Sequence, residues 1–142
     1  MRTLVGLSAA AATALLPISA SAFRADNYMR VNPVGPATFE VINRPGKGPS
    51  DFWCAAGDFV RGRLSVPSNQ RVYIVRGRGP SQTEPGRSAV IFSLQPPAGV
   101  DTVAAAQSIT LSTDRIGDNL SVALAVQYCL DLRDSDDPFT FP

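Results

Sequence analysis

The sequence predicts an α+β domain: an antiparallel sheet of about five to six short strands carrying one helix that a disulfide tethers to the last strand. Three observations carry this. Short β-branched and aromatic runs recur between prolines at 33, 36, 45, 49, 67, 80, 85, 96 and 97, the spacing of strands joined by turns. One stretch, Asp51 to Leu64, repeats its large apolar residues at helical spacing. The chain holds two cysteines, Cys54 in that stretch and Cys129 in the last apolar run.

The chain opens with Arg2, an uncharged apolar run from Leu4 to Leu16, Pro17, and the small residues Ser19-Ala20-Ser21-Ala22. Basic start, apolar middle and small-x-small end define a cleavable secretory signal peptide over residues 1–22, with the cut expected between Ala22 and Phe23. The apolar run is short of the roughly 20 residues of a membrane span, and no later stretch predicts a transmembrane segment. Residues 23–142 have the length of a single globular domain, ending in a disordered tail from about residue 134. An exported chain meets an oxidising compartment, which predicts a Cys54–Cys129 disulfide. In the chain-entropy view a loop of that length stabilises by roughly 4 kcal/mol.

Tyr28 to Asn32 and Ala37 to Asn43 read as short strands, and 44–49 as a loop. In the helix that follows, Ser50 is placed to cap the free amides and Asp51 to complement the dipole, while Phe52, Ala56, Phe59, Val60 and Leu64 form the apolar stripe. Arg71 to Gly77 and Ser88 to Leu94 flank a turn-rich segment and predict a hairpin with a long tip. Ser108 to Ser112 and Leu120 to Leu132 predict a second strand pair around a Gly- and Asp-containing turn. In the last run, Leu120, Val122, Leu124, Val126, Tyr128 and Leu130 alternate with Ser121, Ala123, Ala125, Gln127 and Cys129. As a strand, its small face meets the helix and its bulky face needs another cover.

Thirteen Lys and Arg stand against twelve Asp and Glu, and loss of Arg2 with the leader brings the balance to zero. Net charge therefore predicts no nucleic-acid partner and no attraction to a membrane surface. The chain has no histidine, which removes Ser-His-Asp triads, Cys-His pairs and His-ligated metal sites, so no catalytic residue, metal site or cofactor is expected. Gly77-Arg78-Gly79-Pro80-Ser81 lacks the spacing and terminal Lys of a phosphate-binding loop. Glu40, Asp58, Glu84 and Asp101 supply carboxylates without a spacing that pairs any two for glycoside chemistry. Asp131 to Asp137 is acidic but lacks the Gly and Glu of a calcium loop. Asn119-Leu120-Ser121 matches the N-glycosylation pattern. Phe139-Thr140-Phe141-Pro142 has the aromatic ending of a membrane barrel, on a chain with too few strands for one.

Phe52-Trp53-Cys54-Ala55-Ala56-Gly57-Asp58, then Arg71-Val72-Tyr73-Ile74-Val75, Arg78-Gly79-Pro80-Ser81 and the late Tyr128-Cys129, resemble small exported proteins of alphaproteobacteria that have no assigned activity. The resemblance spans most of the mature chain and implies a periplasmic address with paired cysteines. It implies no site.

The most lopsided stretch is 61–88, where Arg61, Arg63, Arg71, Arg76, Arg78 and Arg87 face one acid, Glu84. On the predicted hairpin, Arg76 and Arg78 share a face by the two-residue period and Arg87 returns across the tip, so these three are the candidate site for an anionic envelope protein or glycan. The resulting expectation is a periplasmic or secreted, non-catalytic binding or interaction protein. The alternative is an envelope structural component docking through the last apolar strand, and the third reading is a histidine-independent enzyme.

Overall fold

A computed structural model describes residues 21–136, so most of the predicted leader and the end of the predicted tail lie outside the described residues. Six strands form one antiparallel sheet: β1 (Phe23–Arg24), β2 (Arg30–Pro33), β3 (Thr38–Ile42), β4 (Arg71–Pro80), β5 (Ser88–Ser93) and β6 (Asn119–Ser121). Their order across the sheet is β1-β2-β3-β5-β4-β6. Helix α1 (Pro49–Phe59) continues into a π-helical turn (Val60–Leu64), α2 (Thr102–Ala106) is one short turn, and α3 (Val122–Asp136) closes the described chain. The α+β class and the Cys54–Cys129 disulfide stand as the sequence predicts.

The strand alternation sends Val31, Phe39, Val41, Val72, Ile74, Val90 and Phe92 to one face, all buried. Against them lie Phe52, Trp53, Ala56, Phe59 and Val60 of α1 and its extension. The ring of Phe39 sits 4.7 Å from that of Phe59, and Trp53 meets Phe92 edge-on at 5.1 Å. The indole NH donates to the Ser112 carbonyl at 3.1 Å, which satisfies the one polar atom of a fully buried side chain.

Helix α1 is buried all round from Asp51 to Phe59 because α3 covers the side turned away from the sheet. This corrects the predicted last strand. Only Asn119–Ser121 is strand, and the chain then turns helical as the Ser121 hydroxyl accepts from the Leu124 amide at 3.2 Å. Val122, Ala125 and Cys129 point inward at helical spacing, whereas Leu124 and Leu130 are exposed. The continuous bulky face of Leu120, Val122, Leu124 and Val126 therefore does not exist, and the disulfide joins two helices, with the Cα atoms of Cys54 and Cys129 4.8 Å apart. Gly57 sets the approach: a β-carbon there would stand 2.8 Å from Ala125 Cβ and 2.9 Å from the Val126 nitrogen.

Three smaller expectations change. The cap of α1 is Gly48, whose amide donates to the Asp51 carboxylate at 2.9 Å, while Ser50 lies inside the first turn behind Pro49. Ser108 to Ser112 is not a strand; instead 113–118 runs along β4, with Arg78 N to Thr113 O at 3.2 Å and Gly117 N to Ile74 O at 2.8 Å. The helix persists to Asp136, past the point where a tail was expected.

The other face of the sheet is closed by the hairpin tip. Glu40, fully buried on β3, accepts from the Ser81 hydroxyl at 2.6 Å, from the Gln82 and Thr83 amides at 2.8 and 2.9 Å, and from the Thr83 hydroxyl. Segment 81–84 thus wraps over a carboxylate rather than standing free in solvent. Arg30 and Asn32 on β2 hold Glu84 from the other side.

Candidate functional site

The structure does not bring Arg76, Arg78 and Arg87 together. Two register shifts interrupt β4, so that Ile74 faces Phe92, Arg76 faces Ile91 and Gly79 faces Ala89. Gly77 and Arg78 together occupy the interval opposite Val90, and the two-residue period fails there. Arg78 consequently leans toward the helix layer, its guanidinium carbon 4.9 Å from the centre of the Phe52 ring. Arg76 stays on the opposite face, where it donates to the Pro80 carbonyl at 2.7 Å and lies against Gly79.

Arg87 goes elsewhere. It donates to the Asn43 carbonyl at 3.2 Å and lines a cleft of about 540 Å³ together with Arg24, Arg30 and Arg44. Sheet order explains the convergence: Arg24 ends β1, Arg30 begins β2, Arg44 follows β3 and Arg87 precedes β5, so four neighbouring strands present one arginine each at the same end. Ala22, Phe23, Tyr28, Met29, Ile42, Asn43 and Pro45 also line it, and among the described residues no carboxylate does. Of the four guanidiniums Arg30 is paired, with Glu84; among the described residues no ion pair engages Arg24, Arg44 or Arg87.

Tyr28 stands over this cleft in the left-handed region, with φ 66° and most of its surface exposed. A bulky side chain there is strained by about 1–3 kcal/mol, so its surroundings must impose the conformation. They do. The Ala25 amide donates to the Met29 carbonyl at 2.9 Å, Tyr28 N to Ala25 O at 2.8 Å, and Met29 N to the Asn27 side chain at 3.2 Å. The turn is also bolted to α1: Asn27 donates to the Asp51 carbonyl at 2.7 Å and Asp26 N to the Asp58 carboxylate at 2.9 Å. The guanidinium carbons of Arg24 and Arg44 lie 5.1 and 5.8 Å from the Tyr28 ring centre, so the ring holds both cations over the opening.

The four carboxylates considered for catalysis all have structural tasks. Glu40 anchors the hairpin tip, Asp58 pairs with Arg61, Glu84 pairs with Arg30, and Asp101 caps α2 by accepting from the Val103 and Ala104 amides. Asn119 is equally occupied: its amide donates to the Thr102 and Gly117 carbonyls and its oxygen accepts from Arg71, which leaves no accessible nitrogen for a glycan. Residues 131–136 of the acidic stretch are helical, a geometry that does not wrap a calcium ion. Among the described residues no cluster of His, Cys, Asp or Glu could hold a metal, and no helix is long and apolar enough to cross a membrane.

Comparison with known proteins gives no match to this chain, whether with family models, curated proteins or solved structures. The site is therefore read from its chemistry alone. Three planar cations that no ion pair engages among the described residues, around an open cleft and with a tyrosine face between two of them, suit carboxylate or phosphate oxygens.

Proposed function

We propose that the chain is an exported, non-catalytic binding protein of the periplasm or extracellular space, and that its cleft takes an anionic envelope partner, an acidic protein patch or a phosphorylated glycan. The observation that carries this is the cleft itself: four arginines at the ends of four neighbouring strands, no acid among its described lining residues, and a strained tyrosine holding two of them. The export part rests on the leader pattern of residues 1–22 and is supported by the Cys54–Cys129 disulfide, which belongs to an oxidising compartment.

The test is a titration with citrate at low ionic strength, comparing two double variants that remove equal charge. Arg44→Gln with Arg87→Gln is expected to weaken binding about tenfold or more. Arg76→Gln with Arg78→Gln, which alters charge away from the cleft, is expected to change it less than about twofold. Melting temperatures for the cleft pair should stay close to the parent, because exposed guanidiniums contribute little to folding. Equal losses from the two pairs would show that overall charge, not the cleft, attracts the anion.

A further inference from the structure

We infer that the cleft is completed by the chain's own processing: hydrolysis of the Ala22–Phe23 bond leaves an α-ammonium group on the cleft wall as a fifth cation for the anionic partner. This rests on the reading of the cleft as an anion site. Ala22 and Phe23 both line it beside Arg24, so the peptide bond joining them lies in its wall. Hydrolysis by a signal-peptidase-class enzyme breaks that amide with one water. The hydroxyl stays with the Ala22 carbonyl carbon, one proton goes to the Phe23 nitrogen, and the resulting amine takes a second proton from solvent.

A new terminus matters to a site only if it stays there, and the ends of most domains are loose. Phe23 is held instead. It pairs with Val31 across β1 and β2, its ring packs edge-on against Phe59 at 5.5 Å, and the Arg63 guanidinium lies 5.3 Å over it. The strand that would present the amine is thus fixed by the core and by the sheet.

The amine also gives the site a titration that arginine does not, since an α-amino group loses its proton near pH 7.7–8.0 whereas guanidiniums keep theirs. The groups around it are Arg24 on its own strand, Tyr28 and Arg30 from the turn and β2, Arg44 after β3, Arg87 before β5, and Arg63 after α1. Asp58 is engaged with Arg61 and the Asp26 amide, Glu84 is engaged with Arg30, and neither they nor Asp26 line the cleft.

Three chains test this: one released from a fusion to begin at Phe23, one beginning at Ala20, and the Phe23 chain acetylated at its α-amine. Lys47 is the only lysine, so a Lys47→Arg background leaves the α-amine as the one reactive amine. The probes, titrated at low ionic strength, are sulfate and citrate. Sulfate, whose charge is constant over this range, carries the pH comparison. Citrate is compared among the three chains at a single pH, because its third carboxyl still titrates near the acidic end of the range. At about pH 6.5 the Phe23 chain is expected to bind about three- to fivefold more tightly than the other two, and the advantage should vanish above about pH 9. Equal affinities with matching pH profiles overturn the inference. Arg44→Gln with Arg87→Gln, made in the same chains, separates it from the reading beneath: if that pair binds like the parent, the cleft is not the site. If the pair weakens binding while the three termini behave alike, only the role of the amine fails. No binding of either anion by the Phe23 chain overturns both.

Discussion

Replacing Gly57 by alanine should destabilise the protein, although helix propensity alone says the reverse. In a free helix Gly→Ala gains about 1 kcal/mol. Here the added methyl meets Ala125 Cβ at 2.8 Å, the Val126 nitrogen at 2.9 Å and the Ala125 carbonyl carbon at 3.0 Å, and two of those atoms are backbone. Overpacking a tight contact costs about 1–3 kcal/mol, and the upper part of that range applies where a whole helix must move rather than a side chain end. The neighbouring Cys54–Cys129 bridge holds the two helices together and limits that movement. The net expectation is a loss of about 1–2 kcal/mol, or a melting temperature lower by roughly 5–10 °C. Urea unfolding followed through Trp53, the only tryptophan and fully buried on α1, measures it directly. Combining Gly57→Ala with Cys54→Ala and Cys129→Ala should reduce the penalty, since untethered helices can separate. A Gly57→Ala protein more stable than the parent would refute the close approach of α1 and α3.

Two further outcomes follow from buried groups. Burial alone would raise the Glu40 carboxyl, but the Ser81 and Thr83 hydroxyls and the Gln82 and Thr83 amides together hold it below its ordinary value. Its charge therefore stabilises the fold above that ordinary value, and this contribution is lost as pH falls through the lowered folded one. Glu40→Gln should cost about 2–3 kcal/mol near neutral pH and progressively less as pH falls below the ordinary carboxylate range, read from urea midpoints across pH; a gap independent of pH would contradict the assignment. Cys129→Ser opens a bridge with a sequence separation of 75 and should cost roughly 4 kcal/mol, and an unchanged denaturation curve would show that the bridge constrains nothing.

The parts of the fold legible in the sequence are those where local signals and the final environment agree. Thr38–Ile42, Arg71–Pro80 and Ser88–Ser93 are β-rich between turn residues and are strands. The helix after Gly48 has its apolar stripe, although full burial on both sides could not be read from a stripe on one. The Leu120 to Leu132 run misleads for a specific reason. Its alternation of large and small residues fits a strand, but Val122, Ala125 and Cys129 fit a helix equally well, and the decision is made by the uncovered side of α1 and by Gly57. Nothing within the run itself announces that.

The site was legible in kind but not in place. Charge asymmetry pointed to arginine, and Arg87 does line the cleft, yet Arg76 and Arg78 were assigned to one face by a period that two register shifts in β4 interrupt. Gly77 and Gly79 inside that strand were the available warning, because glycine within a strand often marks a bulge. Arg24, Arg30 and Arg44 carried no local signal. They lie in separate elements, and only the insertion of β5 between β3 and β4 sets Arg87 beside the first three strands as well as beside its own hairpin partner. A site assembled one residue per strand depends on sheet order, a long-range property, so its charge is visible in the composition of the chain while its geometry is not. The strained Tyr28 belongs to the same category: its turn, Ala25 to Met29, has the Asp26-Asn27 pair of an ordinary loop, and the bonds to Asp51 and Asp58 that fix it come from a helix more than twenty residues later.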